Sequence, residues 1–113
     1  MNTLPGTATI GDGDVSSLQL ALRALRPLLE SAEVTEICIN RPGEAFVERR
    51  SGWTRTELPF ADFDWCVRLA KLVANATKQS ISAQQPILSG WLPGGERIQV
   101  VMPPATTESC VSI

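Results

Sequence analysis

A glycine-rich turn stands directly in front of an arginine in residues 92–104, which read LPGGERIQVVMPP. Pro93 fixes its own φ at about −65° and glycine accepts positive φ, so the segment predicts a tight hairpin whether or not it binds a ligand. Arg97 begins the second strand of this hairpin, on its less apolar side. A guanidinium there is either a surface charge or, if it faces a ligand, a planar set of donors that suits phosphate.

Most other catalytic chemistry is excluded by composition. The chain has no histidine, which removes serine–histidine catalysis, histidine metal sites and imidazole acid–base chemistry. We interpret the glutamates at predicted strand positions as solvated charges, because carboxylates are seldom buried; these are Glu36, Glu44, Glu48 and Glu57. No catalytic residue is predicted within the chain.

Two further motifs do not fit the sites they suggest. Residues 6–13, GTATIGDG, begin with the G-x-x-x-x-G spacing of a phosphate-binding P-loop, but Asp12 stands where that motif requires lysine. The cysteines are odd in number, far apart and without a CxxC pair, so neither a disulfide framework nor a zinc site is indicated; they are Cys38, Cys66 and Cys110. No metal site is predicted.

Length and charge limit the class of protein. The 113 residues fit one domain, and 10 basic against 12 acidic residues give a net charge of −2. This charge supplies no field that gathers nucleic acid, so direct nucleic-acid binding is not expected. No apolar run reaches the roughly 18 residues of a membrane span, and the N-terminus lacks a targeting pattern. We expect a soluble, cytoplasmic protein.

The elements that must position Arg97 follow from hydrophobic periodicity. Residues 1–15 have no apolar period and are predicted to be a flexible lead-in, with the domain at 16–113. Leucines at helical spacing predict a helix over 17–30, in which Pro27 produces a kink or an early end. A second helix is predicted over 62–78. Alternating patterns predict strands within 34–40, 44–50, 53–58, 86–93, 96–102 and from 110 onward.

These elements predict an α+β fold with a mostly antiparallel sheet of about five or six strands and the two helices packed on it. The first three strands form a meander. The second helix has an apolar arc wider than one sheet face requires, since Trp65, Leu69, Leu72 and Ala76 extend it. The arc is either core or a partner surface. The chain stops at Ile113 inside an apparent strand, which predicts a fragment of a longer protein.

Two stretches, EVTEICINRPGEAFVER (33–49) and ILSGWLPGGERIQVVMPPATTESCVSI (87–113), together resemble a known family. They are similar to the N-terminal domain of the VirB-type traffic ATPases of bacterial type IV secretion systems, number eleven of the VirB set, within the secretion ATPase superfamily. The resemblance covers roughly residues 18–113. Its most specific parts are the NRPGE turn and the LPGGERIQ hairpin, and it implies a PAS-like fold.

The resemblance implies a cytoplasmic homo-hexamer, peripheral to the cytoplasmic face of the bacterial inner membrane. N-terminal domains form one ring and C-terminal RecA-like domains another, with ATP between the two domains of a subunit. Hydrolysis drives substrate export, conjugation or pilus assembly together with other secretion components. The family's P-loop lies in the C-terminal half, which is absent from this sequence. Mg²⁺ would be bound there, and this chain should not hydrolyse ATP alone.

The resemblance also carries over site residues. Arg97 matches the family's GER arginine, which contacts the nucleotide, and a second family arginine would lie beyond Ile113. Asn40 and Arg41 of the NRPGE turn would lie near the base or the subunit boundary. The wide arc of the second helix, with Trp53 and Trp91, would suit a ring interface.

Two other classes of function remain open from the residues. The chain could be a stand-alone PAS-like module that binds a small ligand. It could also be a protein-interaction adaptor, in which case Arg97 would be dispensable and Trp65, Leu69 and Leu72 essential.

Overall fold

Helices cover one face of a six-stranded antiparallel sheet in the computed structural model, which describes residues 12–108 and 110–113. The helices are α1 (Asp12–Leu22), α2 (Arg26–Leu29) and α3 (Phe63–Ala76), with a 3-10 turn at Arg23–Leu25 between the first two. The strands are β1 (Val34–Arg41), β2 (Glu44–Arg49), β3 (Gly52–Glu57), β4 (Ile87–Trp91), β5 (Arg97–Val101) and β6 (Cys110–Ser112).

The sheet has the strand order β3-β2-β1-β6-β5-β4. The predicted meander forms β3-β2-β1 and the predicted hairpin forms β5-β4, and each neighbouring pair is antiparallel. The last strand, β6, lies between β1 and β5, where Ser112 pairs with both Cys38 and Gln99. This architecture confirms the α+β prediction.

Side chains alternate between the two faces of the sheet. The face under the helices is apolar and fully buried at positions such as Ile37, Val47 and Val100. The alternate positions form a second face, here called the open face, which carries polar and aromatic side chains. Its members include Glu36, Cys38, Glu44, Phe46, Arg55, Trp91, Arg97, Gln99 and Ser112.

Helix α3 matches the second predicted helix, with both ends shortened. The Asp62 carboxylate accepts a hydrogen bond from the backbone N–H of Trp65 at 2.8 Å, which caps the first turn. The wide apolar arc of α3 is largely core, because α3 contacts both α1 and the sheet. Trp65, Leu69 and Ala76 are buried, and the Phe60 and Trp65 rings meet edge to face at 5.1 Å.

The N-terminal helix differs from its prediction at both ends. It begins at Asp12, so residues 12–15 of the predicted lead-in are helical, whereas residues 1–11 lie outside the described part of the chain. The predicted break occurs just before Pro27, as a 3-10 turn. Pro27 then sits in the first turn of α2, where it needs no N–H partner. Within residues 12–108 and 110–113, no helix is long and apolar enough to cross a membrane.

Candidate functional site

The turn between β4 and β5 holds Arg97 at the start of a strand. The Gly95 N–H donates to the Leu92 carbonyl at 2.9 Å, and the Leu92 N–H donates to the Glu96 carbonyl at 2.7 Å. Gly95 has φ of 98°, which explains a glycine there. The hairpin prediction is confirmed, and Arg97 follows the turn at a fixed backbone position.

Arg97 and Arg55, two arginines on the open face of the sheet, have different surroundings. The Arg97 side chain is exposed and makes no hydrogen bond or salt bridge within residues 12–108 and 110–113. Its contact is with an aromatic ring, since the guanidinium carbon lies 5.2 Å from the centroid of Trp91. The two residues are direct partners in the β4–β5 register. Its N–H donors are therefore available to an anion.

Arg55 shows the contrasting case on the same face. Its Nη1 lies 2.7 Å from a Glu57 carboxylate oxygen, and its Nε contacts Glu44. The hydrogen bonds that Arg55 donates to Glu57 and, as the second cause, to Glu44 raise the pKa of Arg55 above its ordinary value. The charge of Arg55 is thus already neutralised by two carboxylates, which makes it a poor anion site.

Two clefts of about 350 and 260 Å³ border Arg97. Both are also lined by Thr35, Glu36 and Ile113, and the larger one adds Gln99 and Ser112. Arg97 and the Gln99 amide supply donors for an anion there, whereas the Thr35 and Ser112 hydroxyls already donate to Glu48 and Glu36.

Glu36, the acidic residue that lines both clefts, has its own partners. One carboxylate oxygen accepts hydrogen bonds from the Ser112 hydroxyl at 3.0 Å and from the Cys38 thiol at 3.2 Å. Glu36 therefore joins β1 to β6 on the open face. It forms no salt bridge with Arg97, so it leaves that arginine's charge unpaired.

Asn40 and Arg41 lie at the other end of β1 from Arg97. Strands β1 and β5 both pair antiparallel with β6, so they run in the same direction. The start of β5 is therefore beside the start of β1, whereas Asn40 and Arg41 are at the end of β1. The structure does not bring these three predicted site residues together.

The NRPGE turn has a structural reason for its sequence. Gly43 has φ of 85°, and its N–H donates to the Ala61 carbonyl at 2.8 Å while its carbonyl accepts from the Leu58 N–H at 2.9 Å. These bonds attach the β1–β2 turn to the segment before α3. The roles of Asn40 and Arg41 toward nucleotide or a neighbouring subunit stay predictions.

The helical side of the molecule carries a larger, apolar groove. It has a volume of about 640 Å³ and lies between α1 and the start of α3, lined by residues that include Leu20, Ala21, Phe60, Trp65 and Leu72. Leu20 is 61% exposed. This groove suits an apolar surface, with Arg23 and Arg68 also in its lining.

Sequence comparison identifies proteins that are similar to this chain. No model of a known protein family matches the chain. It is 42% identical over 98 residues to the type IV secretion system protein VirB11 of Brucella suis, covering 87% of this chain and 27% of that protein. It is 39% identical over 98 residues to the type IV secretion system protein PtlH of Bordetella pertussis, covering 87% and 29%.

Structure comparison agrees with the sequence. The chain superposes with a TM-score of 0.84 on the crystal structure of the VirB11 ATPase from the Brucella suis type IV secretion system in complex with sulphate. Sequence identity is 40%, and the match covers 89% of this chain and 31% of that one. This chain is homologous to the N-terminal region of VirB11.

The match is to the N-terminal region of VirB11. The chain spans about 30% of the length of the Bartonella henselae VirB11, with 39% identity over 105 residues. The sheet, the helices and the hairpin that carries Arg97 are therefore the VirB11 N-terminal fold.

Proposed function

We propose that this chain is the nucleotide-contacting and hexamer-forming N-terminal domain of a type IV secretion ATPase. Its homology to VirB11 supports this, because relatives at about 40% identity include a protein named as the VirB11 ATPase. In the proposal, the complete protein uses ATP hydrolysis to drive substrate export or pilus assembly. It acts with other secretion components at the cytoplasmic face of the inner membrane.

Arg97 carries the nucleotide part of this proposal. It is an exposed arginine at the first position of β5, without a salt bridge in the described residues, beside a cleft that Gln99 also lines. A guanidinium binds phosphate oxygens with two parallel N–H bonds and stays charged at any physiological pH. Sulphate, the ligand named for the Brucella suis structure, is an oxyanion of similar shape and charge.

The chain provides only part of an ATP site. Its sequence contains no G-x-x-x-x-G-K-[ST] motif, so the P-loop amides and lysine that hold the phosphates must come from elsewhere in a longer protein. Within the described residues, no group of three or more Cys, Asp or Glu side chains is placed to hold a metal ion. We propose that Arg97 adds positive charge to phosphates and Mg²⁺ bound mainly by a C-terminal domain.

This charge acts where the reaction develops negative charge. Transfer of the γ-phosphoryl group spreads charge over its oxygens, and an arginine directed at them lowers the barrier. Arg97 cannot serve as the general base, because its guanidinium is always protonated. Its proposed role is electrostatic stabilisation of bound and reacting phosphate.

Asn40 and Arg41 would make a separate contact. Because they lie at the far end of β1 from Arg97, they do not reach the same phosphate group in this arrangement. We propose that they contact the neighbouring subunit. If so, Arg41→Ala would weaken hexamer formation more than it weakens nucleotide binding, as measured by light scattering and by titration with an ATP analogue.

The test of the main proposal is ATP turnover by the full-length protein. Arg97→Ala should lower turnover by about 10- to 1000-fold, the range for losing one charge-stabilising donor. Arg50→Ala is the matched control, since Arg50 is an exposed arginine in the β2–β3 turn with no salt bridge among the described residues. Light scattering would check that each variant still forms the proposed hexamer. Equal turnover in the two variants would contradict a phosphate role for Arg97.

One observation supports the alternative function as a protein-interaction adaptor, namely the apolar groove between α1 and α3. Trp65 and Leu69 are unsuitable positions for testing this alternative, because they are core residues whose substitution would destabilise the domain. Leu20→Asp is the suitable variant, since the exposed Leu20 lines the groove. An adaptor would lose partner binding in this variant and keep its function in Arg97→Ala.

A further inference from the structure

Trp91 and Arg97 are cross-strand partners at the end of the β4–β5 hairpin next to the turn. Both belong to the open face, and the guanidinium carbon lies 5.2 Å from the ring centroid. This is within the range of about 6 Å for a cation–π contact, for which tryptophan is the best aromatic partner. Arg97 therefore has a defined neighbour, although no polar group of the described residues holds it.

This contact is compatible with anion binding. A guanidinium stacked on an aromatic ring keeps its five N–H donors in its own plane, where they remain available to oxygen acceptors. A carboxylate partner, such as those bound to Arg55, would instead occupy these donors and cancel the charge. An aromatic neighbour is thus the kind of contact that restrains an arginine and leaves its anion-binding edge free.

Restraint matters because an exposed arginine side chain has many rotamers. Binding a phosphate removes most of this freedom, and the lost entropy opposes binding. A ring on the neighbouring strand reduces that freedom before the ligand arrives. Trp91 is placed to do so, since it has only two side-chain torsions and its backbone is fixed by the β4–β5 ladder.

We propose that Trp91 is a positioning residue for Arg97. Its ring holds the guanidinium over the open face so that the N–H donors meet the nucleotide phosphates with a smaller loss of entropy. The inference rests on the proposed phosphate role of Arg97. It also gives a reason for a large aromatic side chain that is 63% exposed.

The experiment measures kcat and KM for ATP in the full-length protein. Trp91→Leu removes the ring, Trp91→Phe keeps an aromatic face, and Ile87→Ala is the control on the same strand and face, with 56% exposure. Trp91→Leu should lower kcat/KM by about 2- to 5-fold, the strength of an exposed cation–π contact. Trp91→Phe should lose less, and Ile87→Ala should match the unmodified protein.

A double variant separates positioning from a general structural role. In an Arg97→Ala background, Trp91→Leu should cause no further loss, because the ring would then have no guanidinium to hold. A loss that persists in that background overturns the positioning role. In the present chain, NMR should also show greater mobility of the Arg97 Nε–H group in Trp91→Leu, and unchanged mobility would overturn it too.

The two proposals fail in different ways. If Arg97→Ala itself leaves turnover unchanged, the phosphate role is wrong and the inference about Trp91 is wrong with it. If Arg97→Ala lowers turnover and Trp91→Leu behaves like Ile87→Ala, only the positioning role is wrong.

Discussion

Ser112 donates a hydrogen bond to Glu36 at 3.0 Å across 76 residues of sequence. The bond joins β6, the last strand of the chain, to β1 at the centre of the sheet, on the face opposite the helices. The Cys38 thiol donates to the same carboxylate oxygen at 3.2 Å. Two neutral donors thus hold one half-buried carboxylate where the two halves of the sheet meet.

Ser112→Ala should lower the free energy of unfolding by about 1 kcal/mol, because a half-buried carboxylate loses one of its two described donors. Denaturant unfolding of the chain measures this. Ser89→Ala is the control, since Ser89 lies exposed on β4 and its hydroxyl makes no hydrogen bond among the described residues. A loss no larger than that of the control would show that the Glu36 contact adds nothing to stability.

The wide apolar arc of α3 should behave as core. Leu69 is completely buried, so Leu69→Ala should lower the free energy of unfolding by about 2–5 kcal/mol. Leu20→Ala, at a position that is 61% exposed, should change it by less than about 0.5 kcal/mol. Thermal unfolding distinguishes the two. Comparable small effects would mean that the arc is a partner surface after all.

Substitution of Gly95 in the hairpin turn should lower stability because of the backbone conformation of this residue. No atom lies within 4 Å of the Cβ that a substitution would add, so the cost of Gly95→Ala comes from the φ of 98° alone. We expect a loss of about 1–2 kcal/mol in unfolding free energy. Gly95→Asn should lose less, since asparagine tolerates positive φ better. A loss in Gly95→Asn as large as that in Gly95→Ala would contradict this explanation from the backbone φ.

Much of the fold could be predicted from the sequence because its signals are local. The alternation of apolar and polar residues predicted the strands. Prolines and glycines predicted the turns, including the one that precedes Arg97. The start of α1 at Asp12 was not predicted, because its glycine-containing first turn has no apolar period. The burial of Trp65 and Leu69 was left open, since it depends on α1 packing over α3, a contact between distant segments.

The site was predictable only in part, for the same reason. Arg97 follows a recognisable turn, and its pairing with Trp91 could have been found by counting residues symmetrically about that turn. The Glu36–Ser112 contact has no such signal, since it depends on β6 inserting beside β1. Asn40 and Arg41 were predicted to be site residues together with Arg97, but they lie at the opposite end of neighbouring parallel-running strands. The direction of each strand follows from the order of the whole sheet.

The most direct test of the proposed function compares two ligands that differ in phosphate. Equilibrium titration of the full-length protein with a non-hydrolysable ATP analogue and with adenosine gives two dissociation constants for each variant. Arg97→Ala should weaken binding of the analogue by about 10-fold or more, the loss of a charge-assisted contact, and leave adenosine binding unchanged. Unchanged affinity for the analogue, or equal losses for both ligands, would contradict the claim that Arg97 contacts the phosphates.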